Sequence, residues 1–264
     1  MMPRHLTQNM TLTILLAGFI AVIATSASWV PSYAQGYAQG DDGPVDKKAI
    51  GILKAMSDYL GDSETISFRT KTFFDVVQKS GIKIKTGRSS TVLLKRPENL
   101  YIHAEGEDGS ASTIWFDGSK LTRWRRDANE VMTIDFEGTT DAMLDHVIDE
   151  YDAQIPFADL LGSDVNKTLG EDIVSAEYIG VRMVDGVPCH QLSFESVGAD
   201  WQIWIEADST PVPRRFVIDF VGDDSKPQYM ARMDALSIDG DIEDFNFVAA
   251  VPESVEQVEF SLKP

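Results

Sequence analysis

Cys189 and His190 are neighbours in the chain, and a thiol beside an imidazole is the pair from which a cysteine nucleophile or a soft-metal site is built. Their setting argues against both. They follow the turn Val184-Asp185-Gly186-Val187-Pro188 at the head of an alternating run, where adjacent side chains point to opposite faces of a strand. A buried thiol beside a half-exposed imidazole is expected. Gly61-Asp62-Ser63 has part of an esterase nucleophile pattern, but it falls between a helical and an extended segment, where Gly and Asp stop the one and turn into the other. Asp239-Gly240-Asp241-Ile242-Glu243-Asp244 offers hard oxygen ligands with its glycine misplaced for a calcium loop, so it reads as a solvated turn. His103 and His146 fall on other elements, and no Cys-x-x-Cys or His-Glu-x-x-His spacing occurs. No catalytic residue, metal site or cofactor is expected, and the protein reads as a non-enzyme.

A chain without reactive groups must act through shape and surface, which turns attention to its elements. Arg4, the uncharged run Leu12 to Ala24 and Ser32-Tyr33-Ala34 have the order of a secretory leader with a small-x-small cleavage site, so residues 1–34 are expected to be a signal peptide. The apolar run is 13 residues, short of the ~20 that span a bilayer, so no stable transmembrane anchor is expected. No cysteine follows the cleavage site closely enough to carry lipid, so a soluble periplasmic protein is expected. The chain has a net charge of −19, and losing Arg4 with the leader makes it −20; such a surface repels nucleic acid. An anionic membrane is repelled too, except at a local basic face such as Arg123, Arg125 and Arg126. The single cysteine forbids an internal disulfide, so stability must come from a core.

Residues 35–45 read as a flexible, glycine-rich arm, and residues 46–264 as one domain. Asp46 can cap a helix to Leu60 that aligns Ala49, Ile52, Leu53, Met56 and Leu60, with Lys54 and Asp58 paired outside and Gly61 as terminator. From Thr65 the period becomes two, giving strands through Ile66 and Phe68, Ile82 and Ile84, and Val92 and Leu94. Asp117-Gly118 turns the strand through Ile114 and Phe116 into the one through Leu121 and Trp124; Asp127-Ala128-Asn129 turns into 131–136. Thr139 or Thr140 then caps a helix with the stripe Met143, Leu144, Val147, Ile148 and Tyr151 opposite Asp145, His146, Asp149 and Glu150. Pro156 opens a short second helix through Phe157, Leu160 and Leu161, ended by Gly162. A second block of strands covers 176–183, 189–195, 200–206, 214–221, 228–236 and 245–247. The fold class is mainly β (α+β): many antiparallel strands with two helical pieces, in which the sheet must curl and the helices fill its concave side.

Arg96-Pro97-x-x-Leu100, Phe116-Asp117-Gly118, Ile155-Pro156-Phe157-Ala158-Asp159-Leu160-Leu161, the turn 184–190, Trp201-Gln202-Ile203-Trp204-Ile205 and Pro213-Arg214-Arg215, in this order from Asp46 to Phe260, resemble a family of predicted periplasmic proteins of unknown function. That family looks like a relative of the lipoprotein carriers LolA and LolB and of the stress regulator RseB. The resemblance implies a strongly curved antiparallel half-barrel whose concave apolar face is covered by helices. The helix arginine that holds the carriers' lid closed has no aligned counterpart: Arg96, Arg182 and Arg214 are all on expected strands or turns. The cavity is expected to be lined by Phe68, Val92, Leu94, Tyr101, Ile114, Phe116, Trp124, Leu192, Phe194, Trp201, Ile203, Phe216 and Ile218, with Met143, Val147 and Leu160 from the helices. Its expected guest is a lipid or a lipoprotein acyl chain; the alternative is an envelope sensor that engages a protein partner.

Overall fold

The structure, a computed structural model, describes residues 44–151, 158–165, 169 and 173–260. The expected leader, nearly all of the arm, Ile155, Pro156 and Phe157 lie outside them. Helix α1 (Lys47–Gly61) begins where Asp46 Oδ1 accepts the Lys48 N–H at 2.7 Å, satisfying one of the first-turn donors that no carbonyl can reach. It buries Ala49, Leu53, Met56 and Leu60, and Lys54 pairs with Asp58 at 2.7 Å on its wet side.

Two long strands follow, β1 (Thr65–Val77) and β2 (Lys83–Lys95), then β3 (Asn99–Gly106), β4 (Ala111–Asp117), β5 (Lys120–Arg125) and β6 (Glu130–Asp135). The β4–β5 turn is tight because Asp117 Oδ1 accepts the Ser119 and Lys120 N–H groups while Gly118 takes φ +84°. Helices α2 (Thr140–Tyr151) and α3 (Ala158–Leu161) come next; Thr139 Oγ1 caps α2 by accepting the Ala142 N–H at 3.2 Å. Then β7 (Ile173–Val184), β8 (Val187–Ser196), β9 (Ala199–Glu206), β10 (Pro213–Asp219) and β11 (Gln228–Ile238) run back, with a short β12 (Glu256–Gln257) near the end. The segment 245–247, expected as a strand, is instead a 3-10 turn (Asp244–Phe247). Its Phe245 and Phe247 do alternate, but Phe245 is 72% exposed and only Phe247 is buried, so no second face or strand partner holds it extended.

All twelve strands form one open sheet in the order β12-β6-β5-β4-β3-β2-β1-β11-β10-β9-β8-β7, antiparallel except for the β12–β6 pair. The chain winds outward from β1 to β6, restarts at the far edge with β7, and returns to close β11 against β1. Among the described residues short strand β12 alone lies beyond β6, and the segment carrying α2 and α3 leads from β6 to β7 at the opposite edge.

One cluster of buried side chains joins both halves of the sheet with α1, α2 and α3: Leu53 and Met56 of α1, Met143 and Val147 of α2 and Leu161 of α3 meet Leu94, Phe116, Trp201 and Ile218. The opposite face carries a smaller cluster of Val184, Cys189, Trp204 and Val217.

Candidate functional site

Antiparallel pairing puts residues that share a register on the same face, so the core face can be read as rows. One runs Ile66, Leu94, Leu100, Phe116, Leu121 and Ile134 across β1 to β6; the next runs Phe68, Val92, Ile102 and Ile114. In the other half, Phe194, Trp201 and Ile218 make one row and Leu192, Ile203 and Phe216 another. Phe194 stacks on Trp201 with centroids 4.1 Å apart, and the Trp201 indole N–H donates to Ser196 Oγ at 3.1 Å. An indole inside an apolar face is thereby satisfied.

The structure brings together Phe68, Val92, Leu94, Phe116, Phe194, Trp201, Ile203, Phe216 and Ile218 from the sheet and Met143, Val147 and Leu160 from the helices, all in or packed against the main cluster. Tyr101 and Trp124 are not among them. Tyr101 lies between Leu100 and Ile102, which face the core, and so points the other way, edge-on to Trp115 at 6.0 Å. Trp124 is opposite Thr113, one residue out of step with the Ile114 row, and Arg126 lies over its ring at 5.0 Å. The residue that shares the core face at that point is Arg123. The three arginines expected to form one basic face are therefore split, with Arg123 and Arg125 on the core side and Arg126 on the other.

In this arrangement the apolar rows are closed off: Val92, Leu94, Phe116, Ile203 and Ile218 are 0% exposed, as are Met143 and Val147. A chain of rings continues from the sheet to α2, Phe116 to Phe136 at 6.2 Å, Phe136 to His146 at 5.0 Å, His146 to Tyr151 at 5.8 Å and Tyr151 to Phe260 at 5.0 Å. His146, expected on the wet face of α2, is drawn in by this stacking.

Polar ties at the helix ends converge on Arg96, which the sequence placed at a strand entry and not at the helices. The Arg96 guanidinium donates to the carbonyls of Ser63 (2.9 Å), Leu161 (3.1 Å) and Gly162 (2.9 Å), joining the ends of α1 and α3 from the strand side. Those carbonyls have no helical N–H to accept from, and a cation is favoured at a helix C-terminus. Burial lowers the Arg96 pKa, and the nearby carboxylates of Asp141 and Asp239 offset part of that. Asp141 also accepts the Ser163 N–H at 3.0 Å, and the Thr140 N–H donates to the Pro97 carbonyl at 2.7 Å. The sequence signals for Arg96 were its place in the Arg96-Pro97 strand entry and, beside Lys95, at the corner between two apolar strands. Arg182 donates to its neighbour's carbonyl, and Arg214 pairs with the buried Glu206.

The remaining candidates are structural. Cys189 is fully buried and its pKa is pushed up to about 11, by burial and then by the Glu206 charge, so it stays a thiol at neutral pH. His190 points to the other face, toward the Tyr178 hydroxyl at 3.1 Å. Ser63 Oγ donates to the Tyr59 carbonyl at 2.6 Å. Asp239 caps the start of β1 through the Glu64 N–H at 2.8 Å, and Asp244 pairs with Lys95. Among the described residues no group of three His, Cys, Asp or Glu side chains is placed to hold a metal. A depression of about 360 Å³ lies between Arg69, Lys71, His103, Glu105 and Asp234, which face away from the core.

Residues 49–261 match the family described as predicted periplasmic protein, DUF2092. Among solved structures, the lipoprotein LppX of Mycobacterium tuberculosis is similar at 12% identity over 78% of this chain and 100% of its own, with a TM-score of 0.43. MucB of the Pseudomonas aeruginosa MucA/MucB complex is similar at 11% identity over 77% of this chain and 61% of its own, TM-score 0.40. A LolA superfamily protein of Nitrosomonas europaea is similar at 10% identity over 76% and 97% of the two chains, TM-score 0.38. No curated protein matches the chain.

Proposed function

Because the chain belongs to the DUF2092 family of predicted periplasmic proteins, we propose that it is an exported, non-catalytic binding protein for an apolar guest, a lipid or the acyl chain of a lipoprotein. A sheet of this many strands curls under its own twist. The core face then becomes concave, α2 and α3 act as its cover, and residues 1–34 serve as the cleaved leader. The observation that carries the reading is the core face itself, with apolar rows in both halves of the sheet meeting the apolar sides of short helices tied down mainly at their ends.

The magnitudes favour exchange. Burying an acyl chain of about fifteen methylenes at ~0.8 kcal/mol each gives ~12 kcal/mol gross. Lifting Met143, Leu144, Val147, Leu160 and Leu161 off the sheet loses roughly 1.5–3 kcal/mol per side chain, about 8–15 kcal/mol together. A guest can therefore replace the cover without either state being irreversible, as a carrier requires. No helix among the described residues is long and apolar enough to cross a membrane.

The test is mass spectrometry of organic extracts of protein purified natively from the periplasm of several expression hosts. A reproducible stoichiometric lipid is expected, and a protein empty in every host overturns the reading.

A second reading, engagement of an envelope protein, is favoured by the edge at β7: residues 44–46 pair with it at Ala176, and beyond Tyr178 it carries Val181 and Met183, 48% and 64% exposed. Such an edge can accept a strand from a partner. A periplasmic pull-down that yields one stoichiometric protein and no lipid selects it.

A further inference from the structure

The apolar rows of the core face do not run its full length. Moving along β2 from Leu94 and Val92, the next two inward positions are Ser90 and Arg88. The row through Ser90 continues as Ala104, Ser112 and Arg125, and Arg123 follows Ile114 in the row before it. A chain with net charge −19 thus turns three guanidinium groups toward the face that elsewhere is apolar.

Arg125 is matched by Glu130 at 3.4 Å and Asp127 at 4.0 Å. Arg123 donates through Nε to Ser112 Oγ at 3.3 Å, and burial, then the Arg125 and Arg88 cations, lower its pKa to about 10 against the opposing charges of Asp127 and Glu130, which leaves it charged at neutral pH. Arg88 makes no ion pair among the described residues, and its charge reaches both Arg123 and the Tyr229 phenol. Beside it are three buried hydroxyls with no hydrogen-bond partner: Thr70 (2% exposed), Ser90 (5%) and Tyr229 (3%). Thr70 is opposite Ser90, and Tyr229 is opposite Phe74, the inward position beyond Thr72 and its partner Arg88. Buried hydroxyls without partners are rare in native proteins. Water could satisfy one of them, but it would bring no charge to pair with Arg88. A group that accepts several hydrogen bonds and carries negative charge does both.

We propose that this end of the core face is an oxyanion seat, in which Arg88, Arg123 and the hydroxyls of Thr70, Ser90 and Tyr229 hold the carboxylate or phosphate head of an amphiphile whose tail lies on the apolar rows. This rests on the carrier reading above and narrows its guest to an anionic lipid.

The full chain, stripped of lipid, is titrated with hexadecanoate, hexadecyl phosphate, 1-hexadecanol and inorganic phosphate by native mass spectrometry and calorimetry. At least one of the two anionic alkyl probes is expected to bind ten-fold or more tighter than hexadecanol, and comparing the two tells carboxylate from phosphate. Arg88→Gln should reduce that preference below three-fold while leaving hexadecanol affinity within two-fold; Arg88→Lys should retain part of it. Tyr229→Phe removes one oxygen and should also lower the preference, so a folding defect in Arg88→Gln does not remove the test. Equal affinity for hexadecanol and both anions overturns the seat and leaves the carrier reading standing. So does a preference that survives in the Arg88→Gln/Arg123→Gln double variant. Inorganic phosphate binding as tightly as hexadecyl phosphate overturns it too, because the seat would then serve a free ion. Failure of all three alkyl probes to bind sinks both readings.

Discussion

At the scale of single residues, charge and burial decide which groups can act. Arg96 supplies three charge-assisted bonds to carbonyls at the ends of α1 and α3. Arg96→Met keeps much of the stem but leaves those carbonyls without donors, at roughly 1–3 kcal/mol for each one that water cannot reach. Faster proteolysis or hydrogen exchange in α2 and α3 is the expected outcome, with exchange in β1 and β2 unchanged; unchanged protection of both helices would deny Arg96 its tying role. Cys189 illustrates the opposite case. With its pKa near 11 and no exposure, it should resist a thiol reagent at pH 8 in the native protein and react fully once unfolded in denaturant. Rapid native labelling would contradict the burial assigned to it.

At the scale of elements, close approach matters more than propensity. A Cβ at Gly61 would stand 2.6 Å from the Ser163 carbonyl oxygen, so the end of α1 meets the turn after α3 only because that residue is glycine. Gly61→Ala should cost about 1–3 kcal/mol through overpacking, read as a fall in the denaturation midpoint. Met143→Ala removes a 0% exposed side chain from α2. If α2 moves as a cover, its own exchange protection should drop by far more than that of β1 and β2; an equal loss across the protein would instead make it part of one cooperative core. The helices were legible because their signals are local: Asp46 and Thr139 as caps and stripes at helical spacing, whereas Gly61, expected to stop α1, is its last residue and Asp62 caps the end. The 3-10 turn was not, since Phe245-Asn246-Phe247 alternates like a strand and only the absence of a partner shows otherwise.

At the scale of the whole molecule, the acidic composition gives a signed pH dependence. Asp75 is held below its ordinary value of 3.8: burial alone would raise it, but Lys85, the Gln228 N–H and Lys83 outweigh that. In Asp117 burial is likewise outweighed, by the Ser119 and Lys120 donors, and Asp108 and Asp223 are lowered by their serine partners. Groups whose folded pKa is depressed contribute stability fully above the unfolded value and lose it as pH falls through the folded one. Asp200 has the reverse sign, raised by burial and by Asp219, so its protonation favours the fold. With Asp185, lowered by Arg232, and Asp208, lowered by Thr210, six depressed carboxylates against one raised predict a melting temperature flat from about pH 5 to 7 and falling below pH 4. A melting temperature that rises on acidification from pH 5 to 3 would show that relief of the −19 net charge dominates instead.

The same scales separate what the chain alone determined from what its folding added. Composition, caps and turns determined where elements begin and end and that the fold is mainly β, because each depends on a few neighbouring residues. Which side of the sheet a residue serves was decided only by pairing. A shift of one residue exchanges the faces of a strand, and β3 to β5 carry large side chains on both faces, so pattern alone favoured Tyr101 and Trp124 where register selected Leu100, Ile102 and Arg123. Arg96 and the cluster around Arg88 are likewise products of assembly. Their partners come from elements far apart in the chain, and only the twelve-stranded order brings them to one place.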